Sequence, residues 1–435
     1  MLDSTNKISN YKTTIFSKAD KLVFLVSIIY LILDNSVLAP VIFGFPIGIT
    51  GELILIPLMT FYIFTSKVKV NLILILILLW NFFTVISIIK SFPYYGLQSL
   101  RSATYCIDSN YIIIGSIIAQ NNLKRSKFPN ILWKVLFVAN VYLLFLPFSS
   151  FLLNFTPKLT AFSGYSVPIL FTYSNSSFLS STFFFSENSF PLNGQKNIVK
   201  IISFLSLLFT FTYKAARYNY FVIFVLSIYS FLKKPKKIIR FSLYFLIGFI
   251  LISLFLTLGI RFSSRGSGIE SIGFFYDHFL SSFGISTSFN DGDSAGFFLR
   301  ISWWINSFER LFSSIRNFIF GLGQGIPLTT FVNDNGIPVR DLHNSFIQIF
   351  IRDGLIGISI FSALHIKLIS NVMHNIRITR YEKINNFYQT SFLFILAILI
   401  NCLMQNTLEV AHRAIPYYFL FGLIGSYKLK FNDKN

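Results

Sequence analysis

The run Asp341-Leu342-His343-Asn344-Ser345-Phe346 puts one imidazole at the mouth of the apolar stretch 347–361. A neutral imidazole accepts a proton from a hydroxyl, which is what a general base must do. His343 falls within about a turn of a helix start, where the positive end of the helix dipole favours the neutral ring. Asn344 and Ser345 are of the types that cap such a start. A capping or interfacial histidine is the plainer role for His343. Against it stands the rule that ionisable groups at membrane depth are functional by default.

Two arginines add to this. Arg217 sits in Ala215-Ala216-Arg217-Tyr218-Asn219, a short connection between apolar spans on the outer side, where basic residues are disfavoured. Arg300 lies at the apolar–polar border of an amphipathic segment. A guanidinium forks onto phosphate oxygens; it also simply snorkels at helix ends. Arg310 and Arg316 have Glu309 and solvent to satisfy them. A base, arginines and a membrane-level position together point to chemistry on an anionic, lipid-linked substrate. Other charges lie inside apolar spans: Asp34, Asp108 and the adjacent pair Arg352-Asp353, which should turn to other helices rather than to each other. Asn290-Asp291-Gly292-Asp293 looks like the Asp-x-Asp of metal-dependent sugar transferases or the start of a calcium loop. Ala295 and Ser302 stand where calcium ligands belong, so a Gly-rich polar turn without metal is expected. Glu409, His412 and Arg413 form a second-rank polar cluster.

The elements that must position these residues are apolar. Of 435 residues, 54% are hydrophobic and only 12% charged, with mean hydropathy +0.64. That is about half the charge of a soluble protein, so an all-α polytopic membrane protein is expected. The net charge of +20 then reads as topology rather than nucleic-acid binding. Cys106 and Cys402 fall in apolar spans and support neither a disulfide framework nor a zinc site. A polar, Lys-bearing start precedes the first apolar run, which reads as a permanent helix rather than a cleaved signal. Apolar spans run over 22–39, 51–65, 70–89, 103–120, 132–153, 199–213, 218–232, 239–259, 343–364, 387–405 and 415–428. Basic clusters at 67–69, 124–127, 233–237, 367–383 and 428–434 are cytoplasmic by the positive-inside rule. Parity requires one more crossing, assigned to 166–186. The total is about twelve helices with both termini inside.

On this topology 1–259 is an N-terminal helical region, 260–341 a large outer loop and 342–435 a C-terminal helical region. Within the loop, 297–319 carries the i, i+3, i+4, i+7 series of a helix lying on the membrane surface, ended by Gly321, Gly323 and Gly325. Asn333-Asp334-Asn335-Gly336 reads as a tight turn.

Three places in this order resemble the O-antigen ligase and polymerase family of bacterial membrane glycosyltransferases. They are Arg217 in Ala-Ala-Arg-Tyr-Asn, Arg300 in Phe-Leu-Arg-Ile-Ser-Trp-Trp with Gly321-Leu-Gly-Gln-Gly325, and His343-Asn344 with Gly354-Leu355-Ile356-Gly357. The likeness covers about 190–365 and agrees elsewhere only in hydropathy. Ala216 replaces the Ser usual before the first arginine, a small departure because the guanidinium is the working group. The resemblance implies a GT-C-like fold in the bacterial inner membrane, with a helical periplasmic loop. It implies transfer of glycan from an undecaprenyl-diphosphate-linked oligosaccharide to another glycan (polymerase) or to lipid A–core (ligase), with no metal, nucleotide or other cofactor. His343 would be the general base, and Arg217 and Arg300, with Asn344, would bind substrate. A lipid-linked glycan flippase is the rival reading. It does not need the 260–341 loop, and the paired broken helices of transporters are not evident. A non-catalytic scaffold would tolerate loss of the basic side chains.

Overall fold

The computed structural model describes residues 71–122, 128–148, 158–160, 166–168, 176–186, 195–214, 217–235, 238–257, 262–264, 267–269, 280, 291–329, 340–379, 382–409 and 411–425. The spans expected at 22–39 and 51–65, and the turn at 333–336, lie outside them. The described residues are mostly helical. Two antiparallel pairs of three-residue strands accompany the helices: β1 (Lys158–Thr160) with β2 (Ser166–Pro168), and β3 (Phe262–Ser264) with β4 (Ser267–Ile269).

Helix α1 (Leu72–Tyr95) starts at Asn71, whose side chain accepts from the Leu74 N–H at 2.9 Å. Its 24 residues rise roughly 36 Å, more than the ~30 Å of a hydrocarbon core. Ile73, Ile77, Trp80, Thr84 and Ser91 turn inward, while Leu78, Leu79, Phe82, Val85 and Ile89 are exposed. Thr84 and Ser91 inside and large apolar side chains outside suit lipid as the surrounding solvent. Helices α12 (Ser345–Ile378) and α13 (Glu382–Cys402) are likewise long and apolar enough to cross a membrane.

Between α1 and α12 come α2 (Leu97–Ser102), α3 (Thr104–Ile107), α4 (Tyr111–Asn122), α5 (Phe128–Tyr142), α6 (Ser176–Phe185), α7 (Lys196–Lys214), α8 (Arg217–Lys233), α9 (Ile238–Thr257), α10 (Asp291–Phe312) and α11 (Ile315–Phe320); α14 (Ala411–Gly425) follows α13. Helix α14 packs on α4 so closely that a Cβ at Gly422 would lie 2.1 Å from the Ile112 carbonyl oxygen.

Five expectations change. The span 103–120 is broken by a 3-10 turn at Asp108–Asn110. There Ser109 Oγ donates to the Cys106 carbonyl and Asn110 Nδ2 to that of Ile107, so short polar side chains compete with the helix ladder. The span 132–153 becomes α5 followed by 3-10 turns over Leu143–Phe148. Within the extra crossing expected at 166–186, the described residues are a strand, in which Pro168 offers no helical N–H, and the ten-residue α6, with 169–175 outside them. Helix α6 rises only about 15 Å, half a hydrocarbon core, and buries Phe178, Phe183, Phe184 and Phe185 in the bundle. The amphipathic segment 297–319 is two helices, because Ser314 caps a new start by accepting from the Asn317 N–H at 3.1 Å. Its upstream Asp291-Gly292-Asp293 opens α10 instead of forming a turn, and carboxylates suit the first turn of a helix.

Helix α12 bends at Gly354, whose φ is 66°. The bend frees carbonyls that the turn after α11 satisfies: Leu322 N–H donates to Ile351 O at 2.8 Å and Gly323 N–H to Arg352 O at 3.1 Å. Contact is backbone to backbone. A Cβ on Gly321 would come 2.1 Å from the Arg352 oxygen, and one on Gly354 2.3 Å from the Gly321 nitrogen. The segment from α10 to this turn is therefore built into the helical body, against α1 and α12.

Candidate functional site

Helix α12 begins with Asn344 as its cap: Oδ1 accepts from the Ile347 N–H at 3.0 Å. The other end of that amide is also occupied, with Nδ2 donating to the Leu403 carbonyl at 3.0 Å. Of the two expected caps it is Asn344 that serves, and Ser345 is the first helical residue. Asn344 is buried and its side chain holds the helix start in place.

His343 immediately precedes the cap with φ 53°, the one positive φ among the described non-glycine residues. A left-handed backbone costs a side-chain-bearing residue about 1–3 kcal/mol and persists only where its surroundings impose it. Those surroundings are visible. Leu342 N–H donates to Gln348 Oε1 at 3.0 Å, and Gln348 Nε2 donates to Asp341 Oδ1 at 3.2 Å. Trp304 Nε1 donates to the Leu342 carbonyl at 2.8 Å. The His343 ring stacks on Trp303, with centroids 6.2 Å apart and planes at 27°. The residue is partly exposed, while its ring Nδ1 is buried.

Helix α10 supplies Trp303, Trp304 and Arg300. Its buried stripe of Trp303, Ser307 and Leu311 faces the start of α12, joined by Leu328, Leu342 and Ile351. Phe298, Ile305 and Phe312, spaced by seven, face outward and are more than half exposed. The expected amphipathic face is thus divided between protein on one side and an apolar outer stripe on the other. Arg300 Nη1 donates to the Met404 carbonyl at 3.4 Å. Arg310, expected to meet Glu309 and solvent, donates to the Pro327 carbonyl at 2.9 Å.

Arg300 and Asn344 therefore meet the loop 403–409 that leaves α13. Asn406 Nδ2 donates to Asp341 Oδ2 at 3.1 Å, and Ser345 Oγ bonds Glu409 Oε2 at 2.7 Å. Burial, above all, pushes the Glu409 carboxyl up to about 7, with Asp341 adding to the shift and Ser345 and Arg352 opposing it. Arg217, expected within the connection 215–219, is instead the first residue of α8; its side chain and that of His412 lie outside the described residues.

Arg352 and Asp353 turn away from each other, as the sequence suggested. Arg352 is fully buried and donates to the carbonyls of Ile326 at 3.3 Å and Arg340 at 3.1 Å. Asp353 accepts from Trp80 Nε1 at 3.2 Å, Tyr105 Oη at 2.8 Å and Gln324 Nε2 at 2.6 Å. Trp80 and Asp353 also border a cavity of about 610 Å³, with Lys90, Tyr94, Tyr95 and Arg316 in its walls. Neither His343 nor Arg300 is among them. The roles of Trp303, Gln348, Gln324 and Asn406 were not foreseen; the only sequence signal was the placement of polar or aromatic residues beside Gly-rich turns and helix ends.

The chemical inventory is an imidazole at the helix mouth, a guanidinium on the helix whose Trp303 stacks on it and a carboxyl with one buried oxygen behind the helix start. Among the described residues, no three His, Cys, Asp or Glu side chains are grouped to hold a metal ion. No protein-family model matches the chain, and no curated protein matches it.

Proposed function

We propose that this protein transfers oligosaccharide from a lipid-diphosphate carrier to a glycan or lipid A–core hydroxyl at the outer face of the bacterial inner membrane. His343 acts as general base. It takes the acceptor hydroxyl's proton as that oxygen attacks the anomeric carbon and the bond to the diphosphate breaks. Arg300 and Arg217 hold the leaving diphosphate and offset its growing charge, an effect strengthened where water is scarce. Attack from the opposite face inverts the anomeric centre.

The observation that carries this reading is the backbone of His343. A left-handed conformation is maintained there by Gln348, Trp304 and the stacked Trp303, and Arg300 stands one turn before that Trp303 on α10. An idle interfacial histidine would not need such support. The proposed setting is an about twelve-helix, GT-C-like bundle with the 260–341 segment periplasmic and both termini cytoplasmic. It works without metal or organic cofactor. The cavity walled by Lys90 and Arg316 gives an amphiphilic donor apolar surface beside cations.

The deciding experiment is a reconstituted transfer assay with defined lipid-linked donor and acceptor. His343→Ala should lose roughly 10²–10⁴-fold in turnover while still binding donor. Transfer at the wild-type rate by that variant would sink the mechanism.

A further inference from the structure

Glu409 has no part in the chemistry above, yet it lies directly behind the base. Its carbonyl accepts from Thr104 Oγ1 at 3.0 Å, which fixes the loop against α3. Its Oε2 meets Ser345 Oγ at 2.7 Å, while Oε1 is buried without a hydrogen-bond partner among the described residues. Ser345 Oγ also accepts from the Leu408 N–H at 3.2 Å and reaches the Gln405 carbonyl at 3.3 Å.

A hydroxyl has one proton to give. Opposite an ionised Glu409, Ser345 donates to the carboxylate, the shorter and charge-assisted bond. Opposite a protonated Glu409, the carboxylic O–H becomes the donor and the Ser345 proton turns to Gln405. The first turn of α12 is thus held by two different bond sets. His343 is two residues upstream of Ser345, in a strained backbone that depends on that turn. The charged and titratable groups on the elements around Glu409 include Asp341 and Arg352, Cys402 of α13, Arg413 of α14, and Arg101 and Tyr105 flanking Thr104. His343 precedes them at the helix mouth.

We propose that Glu409 is a positioning residue for His343: its carboxylate, acting through Ser345, holds the start of α12 in the form that presents the imidazole. This rests on His343 being the base. Because the Glu409 carboxyl is raised from 4.5 to about 7, the holding form is present above that pH. It is lost as pH falls through it, alongside protonation of His343 itself.

The test is the pH profile of turnover and of KM for the acceptor, in proteoliposomes supplied with lipid-linked oligosaccharide. Wild type should show an acid limb steeper than one proton. Glu409→Gln keeps an acceptor for Ser345 but cannot titrate. It should retain turnover at high pH and show a one-proton limb. Glu409→Ala should lose on the order of 10²-fold in turnover at high pH, the cost of a group displaced by about 1 Å, and the gap to wild type should narrow as pH falls and wild type loses the holding form as well. A one-proton limb in wild type, an unchanged profile in Glu409→Gln, or full turnover in Glu409→Ala each overturns the proposal. Should Glu409→Ala fail to fold, the Glu409→Gln profile decides alone. If His343→Ala is inactive while both Glu409 variants behave as wild type, only the positioning role fails. If His343→Ala is active, the reading beneath it fails.

Discussion

The Trp80 indole donates to Asp353 Oδ2 at 3.2 Å, tying α1 to α12 across 273 positions of sequence. The same carboxylate takes Tyr105 and Gln324, so one buried group joins α1, α3, the turn after α11 and the bend in α12. Asp353→Ala would strand three donors at about 1–3 kcal/mol for each one left unsatisfied. A large fall in the thermal unfolding midpoint in detergent is expected. Asp353→Asn, which keeps one oxygen for Trp80 and Tyr105, should lose less. Equal midpoints for Ala and wild type would show that the network contributes nothing.

Gly354→Ala puts a side chain where φ is 66° and where Cβ would lie 2.3 Å from the Gly321 nitrogen. Strain of about 1–3 kcal/mol is expected from the backbone alone. Gly321→Ala attacks the same joint, so the double variant should be less destabilised than the sum of the two. Unfolding midpoints of the three variants, measured side by side, test this; strict additivity would mean that the two glycines do not share a contact.

If Arg300 and Arg217 hold the diphosphate, Ala at either position should weaken donor binding as well as turnover. Lys should restore only part, since a point charge does not reproduce the two-pronged fork. Donor titrations in the transfer assay separate the two effects. Full rescue by Lys at both sites would leave only a general need for positive charge.

On the topology proposed from the alternation of basic clusters, Ser267, in β4, would lie on the outer side. Ser267→Cys should react with an impermeant thiol reagent in intact spheroplasts. Labelling that appears only after permeabilisation would reverse the topology.

Hydropathy was enough to outline α1, α7–α9 and α12–α14, because lipid-facing helices carry their apolar pattern in consecutive residues. The Asn344 cap and the divergence of Arg352 from Asp353 were equally readable, one from a short polar side chain before an apolar run, the other from adjacency on a helix. The bend in α12 was not. Gly354 alone in a helix is unremarkable, and its meaning comes from Gly321, which approaches only in the folded chain. The left-handed backbone of His343 was hidden for the same reason, since the side chains that impose it come from α10 and from Gln348. The segment 166–186 shows the limit of charge parity, which counts membrane passages without showing how a weakly apolar segment divides between a strand at 166–168 and the ten-residue α6.

Three consecutive carbonyls leave α13 toward the site: that of Leu403 accepts from Asn344, that of Met404 accepts from Arg300, and that of Gln405 lies 3.3 Å from Ser345 Oγ, ready to accept when that hydroxyl turns from Glu409. The donors stand on two different helices, and the acceptors are backbone atoms that every residue type possesses. The loop is consequently indifferent to much of its own spelling but not to its length. Side chains there can drift, whereas inserting or deleting a single residue would shift all three acceptors out of step with their donors at once. Among distant relatives, that stretch should vary in letters while its count stays fixed.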